Sequence, residues 1–139
     1  MLRVLSKSTF LLLAGGLTVA IMLGGCSKSL FEERIEGLWS FVNVVDINPA
    51  KGELWEMQNN NLNIYQYNKA TPENRWLVQQ GKYVIVRRGT KLFLSLANLN
   101  YSTYNTSWEI FKLNNRELII SMEVPGGIFY KEFVKKTGN

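Results

Sequence analysis

From about residue 35 onward the chain reads as an all-β domain, and three observations lead there. Short runs rich in Val, Ile, Tyr, Phe and Trp recur between punctuation by Asn, Gly, Asp and Lys. Apolar residues alternate with polar ones at period two within several of these runs. Helical periodicity is hard to find after residue 37, and only 3 prolines interrupt the chain.

The first segment is of another kind. Arg3 and Lys7 precede an uncharged apolar run from Phe10 to Leu23, which Gly24, Gly25 and Cys26 follow. A basic start, an apolar stretch of roughly 7–15 residues and small residues at the cut mark a secretory signal. The run is short for a spanning helix, which needs about 20 apolar residues. Its ending, Leu23-Gly24-Gly25-Cys26, resembles the lipobox of bacterial lipoproteins, with Gly24 where Ala, Ser or Thr is more usual. The resemblance implies that residues 1–25 are a cleaved signal peptide and that Cys26 is lipidated. Residues 26–34 then form a tether, and residues 35–136 the folded domain. The chain would be held to a membrane through the lipid on Cys26, in the cell envelope. Several acyl chains hold stably where one holds weakly. Ser27 is not the aspartate that resembles an inner-membrane retention signal, so the outer membrane is expected. The periplasmic face and the cell surface both stay open.

Cleavage leaves 139 − 25 = 114 residues, enough for one domain with a single core. Cys26 is the only cysteine, so no disulfide supports the domain. Loss of Arg3 and Lys7 lowers the formal charge from +5 to +3. The basic residues look scattered, with only Arg87-Arg88 and Lys135-Lys136 adjacent, and read as a solvated surface. A nucleic-acid protein would show a stripe or patch, so none is expected as a partner.

Lys28 to Glu36 is the one short stretch suited to a helix. Strands follow at Leu38–Asp46, Glu53–Gln58 and Leu62–Tyr67, the last two parted by Asn59-Asn60-Asn61. Arg75–Gln80 runs into Lys82–Arg87 across Gly81, which reads as a bulge or bend. Lys91–Leu96 follows the Arg88-Gly89-Thr90 turn. Ser107–Leu113 and Glu117–Glu123 flank the hairpin signal Asn114-Asn115-Arg116, and Pro125-Gly126-Gly127 turns into Ile128–Lys135. Short links favour an antiparallel up-and-down meander of about eight strands. Closing it into a barrel removes two exposed edges; an open sandwich is the rival. The last strand is ambiguous, with Ile128, Tyr130 and Val134 competing against Phe129 and Phe133 for the inner face.

Gly37-Leu38-Trp39 opens the first strand, Gly81-Lys82-Tyr83 a central one, and Gly127-Ile128-Phe129-Tyr130 the last. Their order and spacing resemble the small lipocalin-like lipoproteins of Bacteroidetes. The resemblance implies a small lipocalin-like barrel with Trp39 plugging one end. The chain is much shorter than full-length lipocalins and lacks their later motifs.

Chemistry is sparse. There is no histidine, hence neither the commonest general base nor the commonest metal ligand. A lipidated Cys26 leaves no thiol. Glu53 and Glu56 lie three apart on a strand, which puts them on opposite faces and makes them poor partners for two-carboxylate hydrolysis. No enzyme, cofactor or metal is expected.

Rings are the one enrichment. They suit an apolar pocket for a small apolar or amphipathic ligand, or a filled core; small barrels do both. Alternation nominates Trp39, Ile64, Tyr83, Ile85, Leu94, Trp108, Ile110 and Ile120 as barrel interior and candidate ligand contacts. Trp55, Trp76, Tyr101 and Tyr104 fit that face least clearly, and Asn98 to Asn105 reads as an exposed loop suited to recognition. The second reading is therefore a solid barrel that docks, or inhibits, through its surface on an envelope protein. No sequence feature points to an oligomer, and the domain is read as a monomer.

Overall fold

The computed structural model describes residues 26–42 and 50–137. The expected signal segment 1–25 lies outside them, as does the predicted end of the first strand beyond Val42. The chain divides into Met1–Phe31 and Glu32–Asn139, and the second unit holds the whole sheet.

A helix α1 (Cys26–Ile35) leads into eight strands: β1 (Gly37–Val42), β2 (Lys51–Gln58), β3 (Asn61–Asn68), β4 (Thr71–Arg88), β5 (Lys91–Ala97), β6 (Ser107–Leu113), β7 (Glu117–Val124) and β8 (Gly127–Lys136). Each pairs antiparallel with its successor, and β8 returns to β1, closing the barrel. The expected meander is thus closed, and the sandwich is not formed. Among the described residues closure gives every strand a bonded neighbour on both sides. An eight-stranded barrel in this order fits a lipocalin-like fold in general terms.

Up-and-down order puts alternate turns at the same end. Gly37, the Asn59-Asn60 turn, the Gly89-Thr90 turn, the Asn114–Arg116 turn and Lys136 share what we call the entry end. The β3–β4 turn, the long β5–β6 connection and the β7–β8 turn lie at the far end. Asn59 and Asn60 both have positive φ, 50° and 63°. That is the two-residue turn whose twist matches flanking strands, and Asn tolerates it better than most residues.

The pleat sorts the side chains. Trp39, Trp55, Met57, Leu62, Ile64, Leu94, Trp108, Leu118, Ile120 and Phe133 point inward and are essentially fully buried. At the entry end Trp39 closes the bore, its Nε1 donating to the Ile35 carbonyl at 2.7 Å. β4 runs without a break through Gly81, but a register shift against β3 falls where Ile64 faces Gln79 and Tyr65 faces Leu77. The ambiguity of β8 resolves in one direction. Lys131 and Phe133 are buried, while Ile128, Tyr130 and Val134 stay about half-exposed on the outer wall.

Candidate functional site

The far half of the bore holds charge. Lys131 on β8 points inward with its side chain only 4 % exposed, and its Nζ lies 3.4 Å from Oε1 of Glu53 on β2. The same Glu53 oxygen accepts from Trp55 Nε1 at 2.7 Å. Rings surround the ammonium: Nζ is 4.3 Å from the centroid of Phe41, 4.9 Å from Tyr104 and 5.4 Å from Trp55. Such distances suit cation–π attraction, which strengthens as water is excluded. A buried charge needs a partner and hydrogen bonds to be tolerated at all. Here one carboxylate and three π-faces supply them.

Tyr104 comes from the β5–β6 connection, whose single 3-10 turn spans Ser102–Tyr104. Its ring meets Trp55 edge-on at 6.1 Å and Trp108 at 6.4 Å. β2 and β6 stand on opposite sides of an eight-strand circle, so Tyr104 bridges the bore. The connection is held in place locally. Asn105 grips Leu99 by two hydrogen bonds of 2.8 Å, and Tyr101 N donates to the buried Gln79 Oε1 at 3.2 Å. Leu99 is itself buried. Gly81 makes room for it: a Cβ there would lie 2.8 Å from Leu99 Cδ2 and 2.6 Å from the Ala97 carbonyl oxygen. The loop read from the sequence as exposed is so at Asn98, Asn100 to Thr103 and Asn105, while Leu99 and Tyr104 turn inward.

One polar atom in this region lacks a partner. Trp108 Nε1 is buried and reaches no acceptor. Its indole lies between Tyr104 and Phe129, at 6.4 and 6.0 Å between centroids.

The nominated interior residues are brought together in part. Trp39, Tyr83 and Ile85 gather toward the entry end. Ile64, Leu94, Trp108 and Ile120 ring the middle, all buried. Ile110 is only half-buried. It faces Ile120 across the β6–β7 pair, but the register shifts immediately after it, and the wall turns outward at Phe111. The Tyr83 hydroxyl is pushed up to about 12, by burial first and by Glu36 second.

Sequence reasoning missed Lys131, Glu53, Phe41 and Tyr104. Trp55, placed among the doubtful rings, is fully buried in the core, whereas Trp76 is 43 % exposed. The signal for Lys131 was present. It shares the face of Phe129 and Phe133, and the breadth of ring-rich strands around it is what lets an ammonium stay inside. Glu53 and Glu56 do fall on opposite faces: Glu56 turns to the outer wall, where it accepts from Asn63 and Tyr65 at 3.1 and 3.0 Å. Among the described residues no three His, Cys, Asp or Glu side chains gather as a metal site.

Grooves on the outer wall lie elsewhere. One of about 560 Å³ runs between Leu54, Tyr67, Pro72 and Arg75 beside the β3–β4 hairpin, and one of about 350 Å³ lies over β5–β7 around Phe93 and Ser121. No protein-family model, curated protein or solved structure matches the chain.

Proposed function

We propose that the protein is a lipid-anchored lipoprotein of the cell envelope, held through Cys26, that binds a small amphipathic ligand in the far half of its barrel. The observation carrying this reading is the unpartnered Trp108 Nε1–H in a ring-lined bore that also holds Lys131. An unmet buried donor costs about 1–3 kcal/mol, so an acceptor from a ligand would be rewarded there. The rings offer apolar contact, and the ammonium favours an acidic or strongly polar head group. Binding rather than catalysis fits a chain with no histidine and no free thiol after lipidation. An outer-membrane site follows from the signal and from Ser27.

The test is native mass spectrometry of the protein extracted from membranes, with organic extraction of anything bound. A defined extra mass, lost in Lys131→Met and in Trp108→Phe, is expected. A clean mass that stays unchanged after incubation with envelope lipid extract would sink the reading.

One observation favours a second reading, docking on an envelope protein. Phe41, Phe133, Trp55, Tyr104, Trp108 and Phe129 form an unbroken chain of ring contacts of 4.8 to 6.4 Å, which is how a filled core looks. Cross-linking in cells from the loop at Tyr101 separates the two: a captured protein supports docking, and its absence together with a bound small molecule supports the ligand.

A further inference from the structure

The fold gathers basic residues that the sequence leaves apart. Arg87, Arg88 and Lys91 flank the β4–β5 turn, and Lys112 and Arg116 flank the β6–β7 turn. Both turns lie at the entry end, and β5 is bonded to β6 between them. All five cations are exposed. Glu109 lies 2.9 Å from Lys91 and Glu117 2.6 Å from Lys112, Arg88 stacks over Phe93 at 5.0 Å, and Arg87 has an interaction of its own, so the cluster of five cations carries two close carboxylates among these contacts. Of the other acids at this end, Glu36 accepts from Asn59 N and, with Glu32 of α1, lies near enough to Tyr83 of β4 to act on its hydroxyl, while Glu56 holds Asn63 and Tyr65 on β3.

An exposed ring sits among these cations. The register shift between Ile110 and Lys112 throws Phe111 outward, 72 % exposed. A bulge re-aims a side chain in this way. Phe111 precedes the exposed Lys112 in the chain and lies two residues after Glu109, whose carboxylate holds Lys91 at 2.9 Å. Phe111 touches Tyr130 edge-on at 6.5 Å and otherwise presents its face to solvent. A large apolar side chain flanked by Lys and Arg is what the boundary between head groups and acyl chains favours.

We propose that this half of the entry rim, Arg87, Arg88, Lys91, Phe111, Lys112 and Arg116, is a docking surface for an anionic membrane. Two arguments choose a membrane as occupant. The charge is complementary to acidic head groups. The chain also enters the barrel at this end, at the buried Ile35, which follows Cys26 by nine residues in the sequence. That second argument rests on the lipid-anchor reading. Anchored there, the rim meets the head groups, and the far mouth with Tyr104 faces away from the bilayer.

The test uses the processed protein purified from membranes and reconstituted in vesicles. With Cys26 acylated, Thr90→Cys provides a single free thiol for a dye at the rim, and Ala70→Cys one at the far end. Vesicles of phosphatidylcholine with and without about a third phosphatidylglycerol carry a head-group quencher. The expected result is quenching at position 90 on the acidic vesicles alone, weakened by high salt. Little is expected at position 70. Reversal of Arg87 and Arg88 to Glu should lower the docked fraction by roughly fivefold or more per charge. Circular dichroism of that variant checks that it is folded. Position 90 that is quenched equally on neutral vesicles, or is indifferent to the reversal, overturns the proposal and points to a protein partner for this rim. Intact mass reports the anchor separately. If it shows no lipid, the anchor reading fails, and co-sedimentation of the same chain with acidic vesicles decides the docking: loss on charge reversal supports it, and no dependence overturns it.

Discussion

Lys131 Nζ and Glu53 Oε1 face each other at 3.4 Å inside the barrel, the ammonium 4 % exposed and the carboxylate 21 %. Removing one partner of such a pair strands the other charge, which costs about 3–5 kcal/mol where burial is complete. Glu53→Gln strands the nearly inaccessible Lys131 ammonium with only its rings as partners, and is expected to cost about 2 kcal/mol. Lys131→Met strands Glu53 instead, but that carboxylate keeps some water and the Trp55 hydrogen bond while Met packs against the rings, so the change should cost less, about 1 kcal/mol. Urea unfolding of both single variants and the double variant measures the coupling. Equal losses in the two single variants would contradict the asymmetry.

Gly81 should resist enlargement. Its Cβ would press on the Ala97 carbonyl and on Leu99, both of which hold the β5–β6 connection in place. Gly81→Ala is expected to destabilise by about 1–3 kcal/mol. Faster hydrogen exchange at Leu99 to Asn105 should accompany the loss, since the strain falls there.

Alkaline pH should weaken the fold through Tyr83. Burial raises its hydroxyl from 10.0 to about 12, with Glu36 adding to the effect. A group whose pKa rises on folding contributes fully below its unfolded value and loses that contribution as pH climbs through the folded one. Stability should therefore fall between pH 10 and about 12. Lys135 acts in the opposite sense, because burial lowers its ammonium and deprotonation relieves the cost. Tyr83→Phe isolates the first effect: its urea midpoint should decline less than the wild type's between pH 9 and pH 11.

The Asn59-Asn60 turn offers a backbone test. Asn60 has φ 63°, where a Cβ costs roughly 1–2 kcal/mol without the local bonding that Asn provides. Asn60→Ala should destabilise by about 1 kcal/mol and Asn60→Gly by less, as read from thermal midpoints. Both variants lose the Asn60 side-chain bond to the Tyr83 carbonyl, 3.3 Å long, so their difference isolates the backbone term, and a larger loss with Gly than with Ala would contradict it.

The fold was legible because its determinants are local. Alternation in Leu92-Leu94-Leu96 and Leu118-Ile120, with Asn and Gly between runs, specifies strands and turns within a few residues of each other. Inner and outer faces follow from the same period, which is why seven of the eight nominated interior residues are buried. Ile110 departs because an extra residue at Phe111 shifts the register, and a bulge has no period of its own. The polar part of the bore was not legible. Glu53 and Lys131 are 78 residues apart in the chain, and only closure of the barrel makes them neighbours. The rim cations were read as scattered for the same reason: β4–β5 and β6–β7 turns are distant in sequence and adjacent in the ring.

The pairing of β8 with β1 has a further consequence. Leu38 and Lys136 are register partners, so the domain begins and finishes side by side. A few linking residues could join these points, and a cut at the exposed Pro125-Gly126 turn would give a reordered chain with the same wall. Such a circular permutant would carry any tether on the opposite mouth, turning the molecule upside down without changing a single contact in its core.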